Sequence, residues 1–267
     1  MAGSGFGKRC ASVNNHNTGS LARCRRFTAR AQASNRVSMI SSISRVPMSV
    51  AAALAGIRAR IASAAIAAGR QADNITLVAV SKTHPQAAIA DAIAAGQTVF
   101  GENRVQEAEQ KFGGLLAANA GLKLHLIGGL QTNKAAAAVR LAHTIETLDR
   151  PRLADAIAQA AEAAGRCPAL LVQVNIGDEA QKSGVSTADA DDFIGAMRRR
   201  FGDALQGLMC IPPAAGDPAP YFRQLVRLAD TNGLPVRSMG MSADFEIAIA
   251  EGATHVRVGS AIFGSRG

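Results

Sequence analysis

The chain has no tryptophan, one tyrosine and only nine phenylalanines among its 267 residues. With so few rings its core must be largely aliphatic. The scarcity also excludes the basic surface with interleaved aromatics on which single-stranded nucleic acid stacks. Acid is missing from the first 72 residues, Asp73 being the first carboxylate. Cysteine is sparse and unpatterned: Cys10 and Cys24 lie near the start, Cys167 and Cys210 stand alone, and no CxxC or Cys/His ligand spacing occurs. That excludes a zinc knuckle and a disulfide framework and fits a reducing compartment. Cys210 reads as a small core residue rather than a reactive thiol. The opening residues hold no apolar run long enough for a signal peptide or membrane span. No dinucleotide-binding glycine fingerprint follows the first apolar run, where Ser81-Lys82-Thr83-His84-Pro85 stands instead, so an open nucleotide-binding sheet is disfavoured.

What is present is distributed unevenly. Residues 1–47 hold eight of the 29 basic residues and no acid, leaving 21 bases against 20 acids in the remainder. The pI near 10 therefore belongs to this leader, and neither nucleic acid nor a membrane is expected as a partner of the body. An Arg- and Ser-rich, acid-free start resembles an organelle transit peptide. Alternatively Met48, followed at once by an alanine-rich amphipathic helix, is the natural start, which the GC-rich alanine usage favours. Either way, residues 1–47 are expected to be disordered, having too little apolar surface to offset ordering entropy. Residues 48–267 are expected to form one domain. The expected address is cytoplasmic, or mitochondrial if the leader is a transit peptide.

Within the body, Leu54, Ile57, Ile61 and Ile66 recur at helical spacing before Gly69. Eight apolar runs then alternate with helical segments. The strands are expected at Ile75–Lys82, Thr98–Asn103, Lys123–Gly128, Thr144–Leu148, Ala169–Ile176, Leu205–Ile211, Val236–Met239 and His255–Val258. Strict alternation with short connections predicts an all-parallel sheet with helices outside. Eight units in about 220 residues predict a single (β/α)8 TIM-type barrel with an extra N-terminal helix.

In such a barrel the chemistry gathers at the C-terminal ends of the strands. Lys82 ends the first strand. It is either the point where the strand meets water or a lysine poised to form an imine with a carbonyl. Met239-Gly240-Met241-Ser242 and Val258-Gly259-Ser260 end the last two strands, and glycine with hydroxyl before a helix is a phosphate cradle. The cradle is expected across the mouth from Lys82. An imine lysine and a phosphate cradle together describe a pyridoxal 5'-phosphate (PLP) pocket. Arg257, in phase with Gly259, either faces the cofactor's ring nitrogen or pairs with a carboxylate such as Glu102. His125 reads as a core histidine bonded to backbone, and Lys182 and Arg198-Arg-Arg200 as solvated faces.

These residues resemble the pyridoxal phosphate homeostasis proteins, single-barrel relatives of the alanine racemase N-terminal domain. The matching stretches are Ala79-Val-Ser-Lys82-Thr83, Phe100-Gly-Glu-Asn103, His125-Leu-Ile-Gly128, Lys182-Ser-Gly184, Gly207-Leu-Met-Cys-Ile-Pro212, Met239-Gly-Met-Ser242 and Val256-Arg-Val-Gly259. The resemblance implies a Schiff base at Lys82, phosphate held by Ser242, Gly259 and Ser260, Arg257 at the ring nitrogen, and Asn103 and Met241 lining the ring. Arg104 departs from the tyrosine common at its place, and Lys134 matches a second lysine, an accessory attachment point or a surface residue.

The function so implied is binding of PLP and its buffering or delivery, with apo PLP-dependent enzymes as recipients and a monomer as the expected state. A PLP-dependent amino-acid racemase is the alternative. Racemisation needs a base on each face of the substrate carbon, and racemising relatives take the second, a tyrosine, from a β-domain of the partner subunit. Here Gly264 stands three residues from the end and the single tyrosine, Tyr221, falls on an expected outer helix. A sugar-phosphate aldolase barrel would keep Lys82 and the cradle but lacks an evident acid/base pair.

Overall fold

The computed structural model describes residues 49–264. The leader, Met48, Cys10 and Cys24 lie outside the described residues. Ser49 caps α1 (Val50–Ala67), its hydroxyl accepting from the Ala52 N–H at 3.2 Å. Leu54, Ile57, Ile61 and Ala65 are buried. Ile66, expected on that stripe, is 73% exposed because the period carries residue 65 inward instead. Among the described residues α1 alone is long and apolar enough to cross a membrane. Its apolar stripe is occupied by the rest of the domain.

The barrel then winds in order: β1 (Thr76–Val80), α2 (Gln86–Ala94), β2 (Val99–Glu102), α3 (Val105–Ala118), β3 (Lys123–Leu126), α4 (Ala135–Leu141), β4 (Thr144–Leu148), α5 (Pro151–Ala164), β5 (Ala169–Asn175), β6 (Val185–Ser186), α6 (Ala190–Phe201), β7 (Leu205–Cys210), α7 (Ala219–Thr231), β8 (Val236–Ser238), α8 (Phe245–Ala250), β9 (His255–Val258) and α9 (Ser260–Phe263). Eight strands close a parallel ring in the order β1-β2-β3-β4-β5-β7-β8-β9, with β9 returning to β1. This is the (β/α)8 barrel the alternation predicted.

Two local features complete the fold. A 3-10 turn (Thr132–Lys134) precedes α4. The two-residue β6, too short to leave a pattern, pairs with β5 outside the ring. Gly184 permits it: its φ is +125°, and a Cβ there would lie 2.5 Å from the Asn175 nitrogen.

Strand residues alternate between two interiors. Phe100, Leu124, Leu126, Ile145, Leu170, Val172, Leu208, Val256 and Val258 face the helices and join one apolar core with Leu54, Phe112, Phe222 and Phe245. The barrel lumen instead holds buried polar groups, among them His125, Glu146, Ser238 and Arg257.

Candidate functional site: a cavity at the strand ends

A cavity of about 610 Å³ opens at the C-terminal ends of the strands. Lys82 enters it from β1, Asn103 from β2, Met241 and Ser242 from the loop after β8, and Arg257, Gly259 and Ser260 from β9 and the start of α9. The lining includes the basic side chains of Lys82 and Arg257 and no carboxylate. A site of that composition suits an anion. The glycine–serine cradle does not lie across the mouth from Lys82, as the order of strands along the chain suggested. Ring closure makes the first and last strands neighbours, pairing Val78 with Arg257 and Ala79 with Val258, so Gly259 and Ser260 stand beside the lysine's strand.

Lys82 is half-buried and makes no hydrogen bond or ion pair among the described residues. Its backbone is held from below. Ser81 Oγ donates to Glu102 Oε1 at 2.8 Å, and Lys111 Nζ reaches the Ser81 carbonyl at 2.9 Å, Glu102 Oε1 at 3.2 Å and Glu107 Oε1 at 2.5 Å. Glu107 Oε1 also accepts the Thr83 N–H at 2.5 Å, fixing Thr83 at φ +66°, in the left-handed region a threonine seldom occupies. Burial pushes the Glu102 carboxyl above its ordinary pKa, against the pull of Ser81 and Lys111. Sequence reading missed Lys111. Its signal was a lysine four residues after Glu107 on one helix face.

At the cradle, Gly240 has φ +88° and a Cβ there would meet Ala248 Cβ at 2.5 Å, so only glycine makes this turn. Ser242 sits in the turn before α8 rather than at its first residue, and its Oγ lies 3.4 Å from the Gly259 N–H. Ser260 opens α9. A Cβ on Gly259 would meet the Val80 carbonyl at 3.0 Å, so the bare backbone is what brings this strand end close to β1.

Arg257 is 4% exposed. Its Nη1 donates to Ser238 Oγ at 2.8 Å and its Nη2 to the Cys210 carbonyl at 2.8 Å. The carboxylate near it is Glu146, 3.9 Å away, not Glu102, which is occupied beneath Lys82. His125 is likewise corrected: Nδ1 bonds Glu146 Oε1 at 2.7 Å rather than backbone, and Nε2 meets Thr144 Oγ1 at 3.3 Å. Burial pushes the Glu146 carboxyl up, but the bond and charge of His125, the nearby charge of Arg257 and the Ser238 bond outweigh it and hold it down to about 2. Burial pushes the Cys210 thiol up to about 12, making it the inert core residue expected. Lys182 is no simple solvated face, since it reaches the Pro212 carbonyl at 3.0 Å and pairs with Glu179. Arg198–Arg200 are exposed, as expected. Arg104 and Lys134 line a neighbouring cavity of about 630 Å³, which shares Asn103 with the first.

The family model for the alanine racemase N-terminal domain matches residues 53–267. The pyridoxal phosphate homeostasis protein of Escherichia coli (strain K12) is 40% identical over 222 residues, covering 80% of this chain and 95% of that one. The chain belongs to the pyridoxal phosphate homeostasis protein family. PipY of Synechococcus elongatus PCC7942 has been solved with PLP bound. Its structure matches with a TM-score of 0.68 at 35% identity, over 80% of this chain and all of that one. The alanine racemase of Streptomyces coelicolor A3(2), at 21% identity and a TM-score of 0.62, covers 80% of this chain and 59% of that enzyme. It shares the fold alone. Membership in the homeostasis family accounts for the barrel.

Proposed function

We propose that the strand-end cavity binds PLP and that the protein holds and passes on the cofactor, with no efficient turnover of amino acids. The observation that carries this reading is one carboxylate-free cavity uniting a lysine with no partner among the described residues, the Gly259–Ser260 backbone and the Ser242 hydroxyl. The donor set fits the cofactor: an amine for its aldehyde, backbone and hydroxyl donors for its phosphate, a guanidinium for its ring nitrogen. Bound PLP supplies an aldehyde and an electron-withdrawing ring. Lys82 Nζ is the attachment point, and Ser242, Gly259 and Ser260 hold the phosphate. Asn103 and Met241 flank the ring, and Arg257, always charged, keeps its nitrogen unprotonated, which weakens the ring as an electron sink.

The names of the curated relatives support holding rather than turnover. The chain's single tyrosine, Tyr221, lies on α7 outside the cavity lining, and the imidazole within the lining, His84, stacks against Phe263 at 5.1 Å. We read the protein as a monomer delivering PLP to apo-enzymes. Its bacterial relatives support a cytoplasmic address and lend nothing to the mitochondrial one. The domain is read as residues 48–267. A protein begun at Met48 should keep its Tm and its cofactor affinity, and losing either would put the boundary elsewhere.

The deciding experiment is borohydride reduction of the PLP-loaded protein followed by peptide mapping. The expected result is one pyridoxyl modification, on Lys82, absent from Lys82→Ala. Modification elsewhere, or none, overturns the reading. Incubation with L-alanine in D2O should give little α-deuterium and no D-alanine. Racemisation at about 1–1000 per second would establish an enzyme instead.

A further inference from the structure

The buried chain His125–Glu146–Ser238–Arg257 crosses the lumen from β3 through β4 and β8 to β9 and ends on the cavity wall. A carboxylate with no exposure is costly unless its oxygens are claimed. Both Glu146 oxygens are: Oε1 by His125 Nδ1 at 2.7 Å, Oε2 by Ser238 Oγ at 2.6 Å. A hydroxyl has one proton. Ser238 spends it on Glu146, so toward Arg257 it can only accept, and it does so at 2.8 Å. The polarity of the chain is thereby fixed, with Glu146 at its negative centre 3.9 Å from Arg257 Nη1. The Cys210 carbonyl takes a second donor of the guanidinium at 2.8 Å. The remaining N–H groups of Arg257 have no acceptor among the described residues, and the side chain lines the cavity.

We propose that Glu146 is a positioning residue that, through Ser238, anchors the Arg257 guanidinium against the cavity and sets the charge felt by the cofactor there. This rests on the reading that the cavity binds PLP. Glu146 touches nothing in the cavity itself, so its effect passes through Arg257. The other charged or titratable groups around it are His125 and His255, whose rings lie 5.9 Å apart, with Lys123 farther off at the start of β3.

The test reads the PLP adduct at Lys82 by absorbance against pH in wild type, Glu146→Gln and Glu146→Asp, each fixed by borohydride to establish attachment. Removing the negative charge leaves the guanidinium unscreened and disfavours the protonated adduct. The midpoint should therefore fall by roughly one pH unit in Glu146→Gln and return toward wild type in Glu146→Asp, which keeps the charge. A structural role alone would give no charge-specific rescue. Three coincident midpoints in folded proteins would overturn the proposal. If Glu146→Gln does not fold, Ser238→Ala serves, since it leaves the Glu146–His125 pair intact while freeing the guanidinium. Its Kd for PLP should rise about tenfold, and an unchanged Kd would overturn the proposal. Failure of the cofactor reading is separately visible, as wild type would then form no borohydride-fixed adduct at all.

Discussion

Between strands and helices, this barrel is packed mainly with Leu, Ile, Val, Ala and Phe side chains; inside the ring, apolar residues such as Val78, Leu171 and Met209 share the space with a hydrogen-bonded polar chain. The outer layer is held by area. Phe100 and Phe112 meet at 5.5 Å between ring centroids, and the surrounding residues are Leu, Ile, Val and Ala. Any residue of similar volume and apolarity would serve there, at a cost usually below about 1.5 kcal/mol. The lumen is held by pairing. Glu146 is tolerated there only because His125 and Ser238 take its oxygens and Arg257 stands near. The difference teaches where tolerance to substitution should lie: the outer layer should accept exchange and resist truncation, while the lumen should resist exchange even at constant volume.

The largest expected effect comes from truncation in the outer layer. Phe112 is 1% exposed, and Phe112→Ala should cost about 3–5 kcal/mol in urea unfolding. Phe112→Leu should cost much less, and the PLP affinity of the molecules that remain folded should not change. If cofactor affinity falls in step with stability, the two regions are not independent.

Acid separates the two regions next. Burial lowers the His255 pKa to about 4, so between its ordinary 6.5 and 4 the unfolded chain takes up a proton that the folded chain refuses. Stability falls as pH drops through that window. Glu146, lowered from 4.5 to about 2, contributes stability above 4.5 that is lost as pH falls toward 2. Each step is on the order of 3 kcal/mol. Glu102 works in the opposite sense, since its raised pKa favours the fold at lower pH. Denaturant midpoints measured from pH 7 to pH 3 should decline in two stages, and His255→Met should remove the upper one. A decline confined to below pH 4.5 in wild type would show that His255 is not held neutral.

The same contrast explains what could be read in the sequence. The ring and its order follow from apolar runs alternating with helices, because the outer layer writes itself as hydrophobic period. The residues lining the cavity were also legible, since Lys82, Asn103, Ser242 and Gly259 stand where strands end. The lumen was not. Glu146 sits in Thr144-Ile-Glu-Thr-Leu148, where period two places it opposite Ile145, but nothing local names its partners on β3, β8 and β9. Those contacts exist only once the ring has closed. The same closure moved the cradle beside Lys82 and gave Arg257 its carboxylate from β4.

A turn on the rim of the ring gives a smaller effect. Gly184→Ala forces a Cβ to within 2.5 Å of the Asn175 nitrogen at φ +125°. It should cost about 1–3 kcal/mol and detach β6 from β5. Gln173 Nε2 donates to the Ser183 carbonyl at 3.0 Å, and faster amide exchange across residues 183–186 should report the break.

The smallest effect sharpens the outer layer to a single residue. Helical spacing alone put Ile66 on the buried stripe of α1 with Leu54, Ile57 and Ile61, whereas the structure buries Ala65 and leaves Ile66 73% exposed. Successive helical residues point about 100° apart, so a side chain one place along leaves the interface entirely. Ile66→Ser removes apolar surface that already faces water and should shift stability by no more than about 0.5 kcal/mol. Ala65→Leu adds three carbons to a position with no exposure, and overpacking there should cost about 1–3 kcal/mol. The two variants, one residue apart and measured in the same urea series, locate the edge of the core. If Ile66→Ser proves the more damaging, the face of α1 is misassigned by one residue, and the exposed isoleucine belongs to an interface of its own.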